Sequence, residues 1–200
     1  MYDLLYRAGL TPWVPAGRAQ SALVERLLDR EAAWHGSATG RTLVDLGCGT
    51  GEHSLAAARR GWTVVGVDAS PVAIAKAQRA ALGSDLEIRF VAGDVRRLTE
   101  VTHLRPNVSV FIDVGCYHGL RAADRRMVAD GMARLSVPGA SALVVGMDRR
   151  PGLAGVGVTA EGLAADFPDW QVEPGQTFGL GGGGPLGRVR FRVFRLTREA

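Results

Sequence analysis

The run Thr42-Leu43-Val44-Asp45-Leu46-Gly47-Cys48-Gly49-Thr50-Gly51-Glu52 constrains this chain more than any other stretch. A β-branched apolar segment ends on an acid, three glycines follow at alternate positions, and a helical pattern begins. The segment Leu43–Leu46 reads as a buried parallel strand. Glycine has no Cβ, so Gly47, Gly49 and Gly51 let the backbone turn sharply and approach another group closely. Residues 53–60, HSLAAARR, read as a helix whose free N–H groups face back toward the loop. A strand, a glycine loop and a helix in this order make a ligand site at the carboxyl end of a strand.

The rest of the chain repeats the alternation. Thr63–Asp68 is a second strand, and Ser70-Pro71 opens a helix to about Leu82 with a capping residue and an initial proline. Leu86–Val91 is a third strand and Val108–Asp113 a fourth. Arg121–Leu135 is a helix, Pro138-Gly139 a turn, and Ala142–Gly146 a fifth strand. Thr159 caps a short helix to about Phe167, Trp170–Glu173 is a strand, and a glycine-rich loop leads into a last strand over Arg188–Thr197. In that strand the arginines should face outward. Ahead of the first strand, Ala19–Trp34 has a helical apolar period, and residues 1–18, broken by Pro12 and Pro15, read as a helical turn and a loop. The expectation is one α/β domain over residues 1–200. It holds a single Rossmann-like, doubly wound sheet of seven strands, mostly parallel, with an antiparallel hairpin at one edge.

Four acids, Asp45, Asp68, Asp94 and Asp113, end or nearly end four successive strands. Four at one sheet edge, with a glycine loop after the first, line a shared crevice. Asp68 can accept hydrogen bonds from both hydroxyls of a ribose. That placement serves a dinucleotide equally well, so NAD stays open at this point. The dinucleotide fingerprint, however, is G-x-G-x-x-G, and here the last glycine position holds Glu52.

The tighter spacing resembles motif I of class I S-adenosylmethionine-dependent methyltransferases. The stretches VDLGCGTGEHS, VVGVDASPVAIAKA, FVAGDV, FIDVGCYHGL and PGASALVV carry the likeness over most of the chain. YRAGLTPW near the N-terminus and DVGCYHGL resemble the small-molecule branch near thiopurine and tellurite-resistance methyltransferases. The resemblance implies S-adenosyl-L-methionine as cofactor and transfer of its methyl group to an O, N or S nucleophile on a small molecule. Gly47, Cys48, Gly49 and Gly51 would admit the methionine part, whose carboxylate would meet loop N–H groups and the start of the helix. Asp45 would accept from the ammonium group, Asp68 and Ala69 would take the ribose, and Asp94 with Val95 the adenine. Residues 1–18 would form a lid, with Tyr6 and Trp13 offering aromatic faces to the sulfonium. Asp113 would also belong to the cofactor site, and Asp113, Tyr117 and His118 would face the acceptor, with His118 as a candidate base. An NAD-dependent oxidoreductase and a non-catalytic cofactor-binding subunit are the rival readings.

Composition excludes several classes. Formal charge is +4, and the arginines, 23 of 24 basic residues, are scattered rather than clustered. That argues against a nucleic-acid surface. No segment reaches membrane-spanning length and no leader pattern opens the chain. Two cysteines, Cys48 and Cys116, give neither a disulfide framework nor a metal-ligand spacing. The expected place is the cytoplasm, and the expected state a monomer or homodimer.

Overall fold

A computed structural model describes residues 13–148, 157–179 and 190–199. The elements are α1 (Trp13–Trp34), β1 (Thr42–Leu46), α2 (Glu52–Ala58), β2 (Thr63–Asp68), α3 (Pro71–Ala81), β3 (Ile88–Ala92), β4 (Val108–Val114), α4 (Ala122–Leu135), β5 (Ser136–Met147), α5 (Ala160–Asp166), β6 (Trp170–Val172), β7 (Gln176–Gly179) and β8 (Arg190–Arg198). Short 3₁₀ turns cover Val95–Glu100 and Tyr117–Gly119. The strand order is β3-β2-β1-β4-β5-β8-β6, with β7 also on β8. β1 to β5 are parallel, and β8 runs antiparallel to β5, β6 and β7.

This is the expected α/β sheet, with one strand more. Gln176–Gly179 was not foreseen: four residues without alternation give no period to read. β8 is consequently no edge strand. It holds β5 along one side and β6 and β7 in succession along the other. Three further expectations give way. Helix α1 starts at Trp13, six residues early, because Pro15 falls in the first turn, where the missing N–H would have had no helical partner. Pro138-Gly139 lies within β5 rather than in a turn. Finally, Arg195 is not outward. It is 8% exposed, and its guanidinium bonds the buried Glu31 of α1 at 2.7 Å and Glu173 at 2.8 Å. The alternation of β8 fails there because α1 supplies a buried carboxylate opposite it.

Both faces of the sheet are covered. α1 lays Val24, Leu27 and Leu28 on Leu43, Val110, Ile112 and Val145, joined by Ala56 and Ala57 of α2 and by Trp62. The opposite face packs Val44, Leu46, Phe111 and Val144 against Val128 and Met132 of α4 and Phe167 after α5. Burying one such aliphatic side chain contributes about 1.5–3 kcal/mol.

α1 runs opposite to β1. Its Ser21 hydroxyl donates to Glu52 at the start of α2, at 2.6 Å. Ten residues on, Glu31 accepts from Ser141 of β5 at 2.5 Å. In register, Ser141 stands beside Val110, and Val110 beside Leu43. So α1 begins at the carboxyl ends of the parallel strands and descends across the sheet.

Candidate functional site

The loop after β1 folds as its glycines permit. Gly47, Gly49 and Gly51 have φ of 69°, 54° and 83°, angles that L side chains rarely adopt. Two of them are also tight. A Cβ on Gly47 would lie 2.6 Å from Cys116 Cβ, and one on Gly51 would lie 2.6 Å from the Phe90 ring. The loop is bound to β2: Gly47 and Cys48 donate their N–H groups to Val67 O at 2.8 and 3.0 Å. Gly49 N–H donates to Asp68 Oδ2 at 2.9 Å, and Ser70 N–H to Asp68 Oδ1 at 2.8 Å. Burial raises the Asp68 pKa, and these two backbone donors oppose the shift. Gly51 N–H returns to Cys48 O at 2.9 Å. Four loop N–H groups are therefore spent on the protein, which assigns them to shaping the cleft. Ala69, between Asp68 and the cap Ser70, is exposed at the cleft end of β2.

Asp45 and Asp113 sit below this rim on neighbouring strands. Asp45 is 2% exposed and accepts the Ser54 hydroxyl of α2 at 2.5 Å. Burial pushes its pKa up to about 7, the Ser54 bond opposes this, and the Asp68 charge adds to it. Asp113 is 3% exposed and accepts N–H bonds from Cys116 at 3.1 Å and Tyr117 at 2.9 Å. Its pKa is also raised to about 7, by burial first, against the pull of those donors. Asp113 thus ties down the loop after β4.

Asp94, after β3, is held in a fork by the Arg96 guanidinium. The Arg96 side-chain bond pulls its pKa below the usual carboxylate range. It also caps the following turn by accepting Arg96 N–H at 2.9 Å. Val95 is buried beside it. Sequence reasoning did not pick out Arg96, two residues from the acid it pairs with.

Of the acceptor-side candidates, Tyr117 is the most buried. Its side chain is 2% exposed, its hydroxyl donates to Asp166 of α5 at 2.5 Å, and its ring lies 5.8 Å from Phe167. Burial drives the phenol pKa far up. Tyr117 is a core residue that fixes the loop to α5, because the 3₁₀ turn rotates it inward. His118, the next residue, stands at the end of β5: a Cβ on Gly146 would lie 3.1 Å from His118 Cβ. Its Nδ1 is buried and has no hydrogen-bond partner among the described residues. Burial lowers its pKa, and the Arg125 cation lowers it further, so the ring is neutral at pH 7. Arg125 holds the loop by donating to His118 O at 3.0 Å and Leu120 O at 3.0 Å.

Cys48 is buried and Cys116 half-buried, both as free thiols with pKa values pushed up by burial. Among the described residues there is no cluster able to hold a metal ion, and no helix is long and apolar enough to cross a membrane. Tyr6 lies outside the described residues. Trp13 opens α1, with its side chain outside them.

The structure therefore gathers the glycine loop, Asp45, Asp68 and Asp113 at one sheet edge, with Asp94 and His118 on its flanks. Sequence reasoning missed Ser54, the partner of Asp45, and Gln20, which is 3% exposed on the sheet-facing stripe of α1. A polar residue in the apolar stripe of positions 20, 24, 27, 28 and 31 was the available signal.

Known proteins are similar to this chain. A family profile described as a methyltransferase domain matches residues 43–139, from β1 into β5. A 2-heptyl-1-hydroxyquinolin-4(1H)-one methyltransferase of Mycobacteroides abscessus is 28% identical over 156 residues, 74% of this chain and 64% of that protein. A cypemycin N-terminal methyltransferase of a Streptomyces species is 46% identical over 70 residues, 34% of this chain and 28% of that protein. This chain thus spans less than two thirds of the length of either relative. Among solved structures, the 1,6-didemethyltoxoflavin-N1-methyltransferase of Burkholderia thailandensis, crystallised with S-adenosylhomocysteine, superposes with a TM-score of 0.71. At 18% identity, that match covers 100% of this chain and 89% of the other. Residues 43–139 thus match a methyltransferase domain, and the sheet shares the fold of a solved methyltransferase.

Proposed function

We propose that this chain is an S-adenosylmethionine-dependent methyltransferase acting on a small molecule through an O, N or S nucleophile. The observation that carries the reading is the loop Gly47–Gly51, left-handed at all three glycines and tied to Asp68 at the adjoining strand end. The family match and the small-molecule methyltransferases among the relatives support it.

When bound, S-adenosylmethionine supplies an electrophilic methyl group on a sulfonium. The residues of the chain bind, orient and exclude water. Gly47, Cys48, Gly49 and Gly51 make room for the methionine part, and the start of α2 favours its carboxylate through the helix dipole. Asp68 and Ala69 take the ribose, and Asp94 with Val95 the adenine edge. Tyr6 and Trp13, whose side chains lie outside the described residues, would offer aromatic faces to the sulfonium. In-line displacement asks the protein mainly for proximity and orientation. Asp113 acts by positioning the loop after β4. His118, neutral and with no Nδ1 partner among the described residues, can take a proton from the acceptor.

Incubation with methyl-labelled S-adenosylmethionine and a panel of phenols, amines and thiols tests the reading. Label transfer to at least one acceptor class is expected. Cofactor binding without transfer to any member would favour a non-catalytic subunit.

A further inference from the structure

Gln20 holds a buried acceptor. Its side chain is 3% exposed, and no donor meets its Oε1 among the described residues. An unpaired amide oxygen inside a protein is costly, so an atom left that way calls for a ligand.

Its position in the fold says which ligand. Ser21, the next residue, donates to Glu52, the first residue after the glycine loop. Glu31, on the same buried stripe, marks the level of Ser141 on β5. Eleven helical residues rise roughly 16 Å, which a strand covers in about five residues. Gln20 therefore stands near the level of Gly146, where β4 and β5 end, beside the loop that follows β1. Asp45, the carboxylate expected to receive the cofactor ammonium, lies deeper and already holds the Ser54 hydroxyl at 2.5 Å. The ammonium end of the cofactor is a triple donor arriving at the rim above it.

We propose that Gln20 Oε1 accepts a hydrogen bond from the α-ammonium group of the cofactor, which makes α1 part of the binding site. This rests on the methyltransferase reading of the cleft. Ser21 and Glu52 fix the height of the helix, and Val24 seats the same face on the sheet.

Calorimetric titration with S-adenosylhomocysteine and with 5′-methylthioadenosine, which lacks the amino-acid part, tests it. Gln20→Leu and Gln20→Met should bind S-adenosylhomocysteine about 10- to 100-fold more weakly, the range for a lost bond to a charged group. Both should bind 5′-methylthioadenosine as the wild type does, which also shows that they are folded. Gln20→Glu should keep wild-type affinity for S-adenosylhomocysteine or exceed it, because a carboxylate also accepts from ammonium. Unchanged S-adenosylhomocysteine affinity in the Leu and Met variants would overturn the proposal. So would equal losses for both ligands, or a Gln20→Glu variant as weak as Gln20→Leu. A wild-type chain that binds neither ligand would instead overturn the reading of the cleft itself.

Discussion

The carboxylate of Asp68 receives the backbone N–H of Gly49 at 2.9 Å, across from the end of one strand to the loop after the next. Its second oxygen receives Ser70 N–H at 2.8 Å. A single side chain thus sets the loop and caps the entry to α3, at the point where the strand order reverses around β1.

Asp68→Ala should therefore weaken S-adenosylhomocysteine binding by about 1–3 kcal/mol, the cost of leaving its partners unsatisfied. Asp68→Asn keeps one acceptor oxygen and should lose less. Calorimetry on both variants checks the order. Equal affinity in the Ala variant and the wild type would reduce Asp68 to a helix cap.

Tyr117 and His118 separate by role. Tyr117→Phe removes the donor that satisfies Asp166 in a half-buried site. Stability should fall by about 1–3 kcal/mol with turnover changed only a few-fold. Urea titration beside a methyl-transfer assay measures both. A large drop in turnover at unchanged stability would return Tyr117 to the site.

His118→Ala should lower turnover by about 10²–10⁴ while cofactor affinity stays. Because the folded ring titrates below its ordinary 6.5, wild-type turnover should fall only on the acid side of that value. The variant should lose that acidic limb. A loss of a few-fold with the same profile would leave catalysis to proximity.

Asp45 gives a stability prediction of unusual sign. Its folded pKa, about 7, lies above the ordinary carboxylate value of 3.8 expected in the unfolded chain. Between those values the native state binds more protons than the unfolded one, so stability drops as pH rises from 4 to 7. Asp45→Asn keeps an acceptor for Ser54 and never ionises. Relative to wild type it should gain up to about 4 kcal/mol across that window. Urea midpoints at pH 4.5 and 7.5 measure the difference. An Asp45→Asn advantage over wild type that is larger at pH 4.5 than at pH 7.5 would mean that Asp45 is stabilised in its charged form.

The sequence was legible where one local rule sufficed. β2 was read from Thr63 to Asp68 as found, and the Ser70 cap and its proline fell where capping chemistry puts them. The glycine loop and the acids at the strand ends were legible for the same reason. What could not be read depends on distant partners. Arg195 turns inward only because Glu31, 164 residues away, waits beneath it. Tyr117 leaves the cleft because Asp166 accepts its hydroxyl from another helix. Gln20 differs from any other polar residue on a helix only once the fold buries it.

The central claim is that the cleft at the ends of β1 and β2 binds an adenosyl amino acid rather than a dinucleotide. Titration of the intact chain with S-adenosylhomocysteine and, separately, with NAD tests it most directly. Saturable one-to-one binding of S-adenosylhomocysteine with no heat from NAD is the predicted result; tight NAD binding with none of S-adenosylhomocysteine would contradict it.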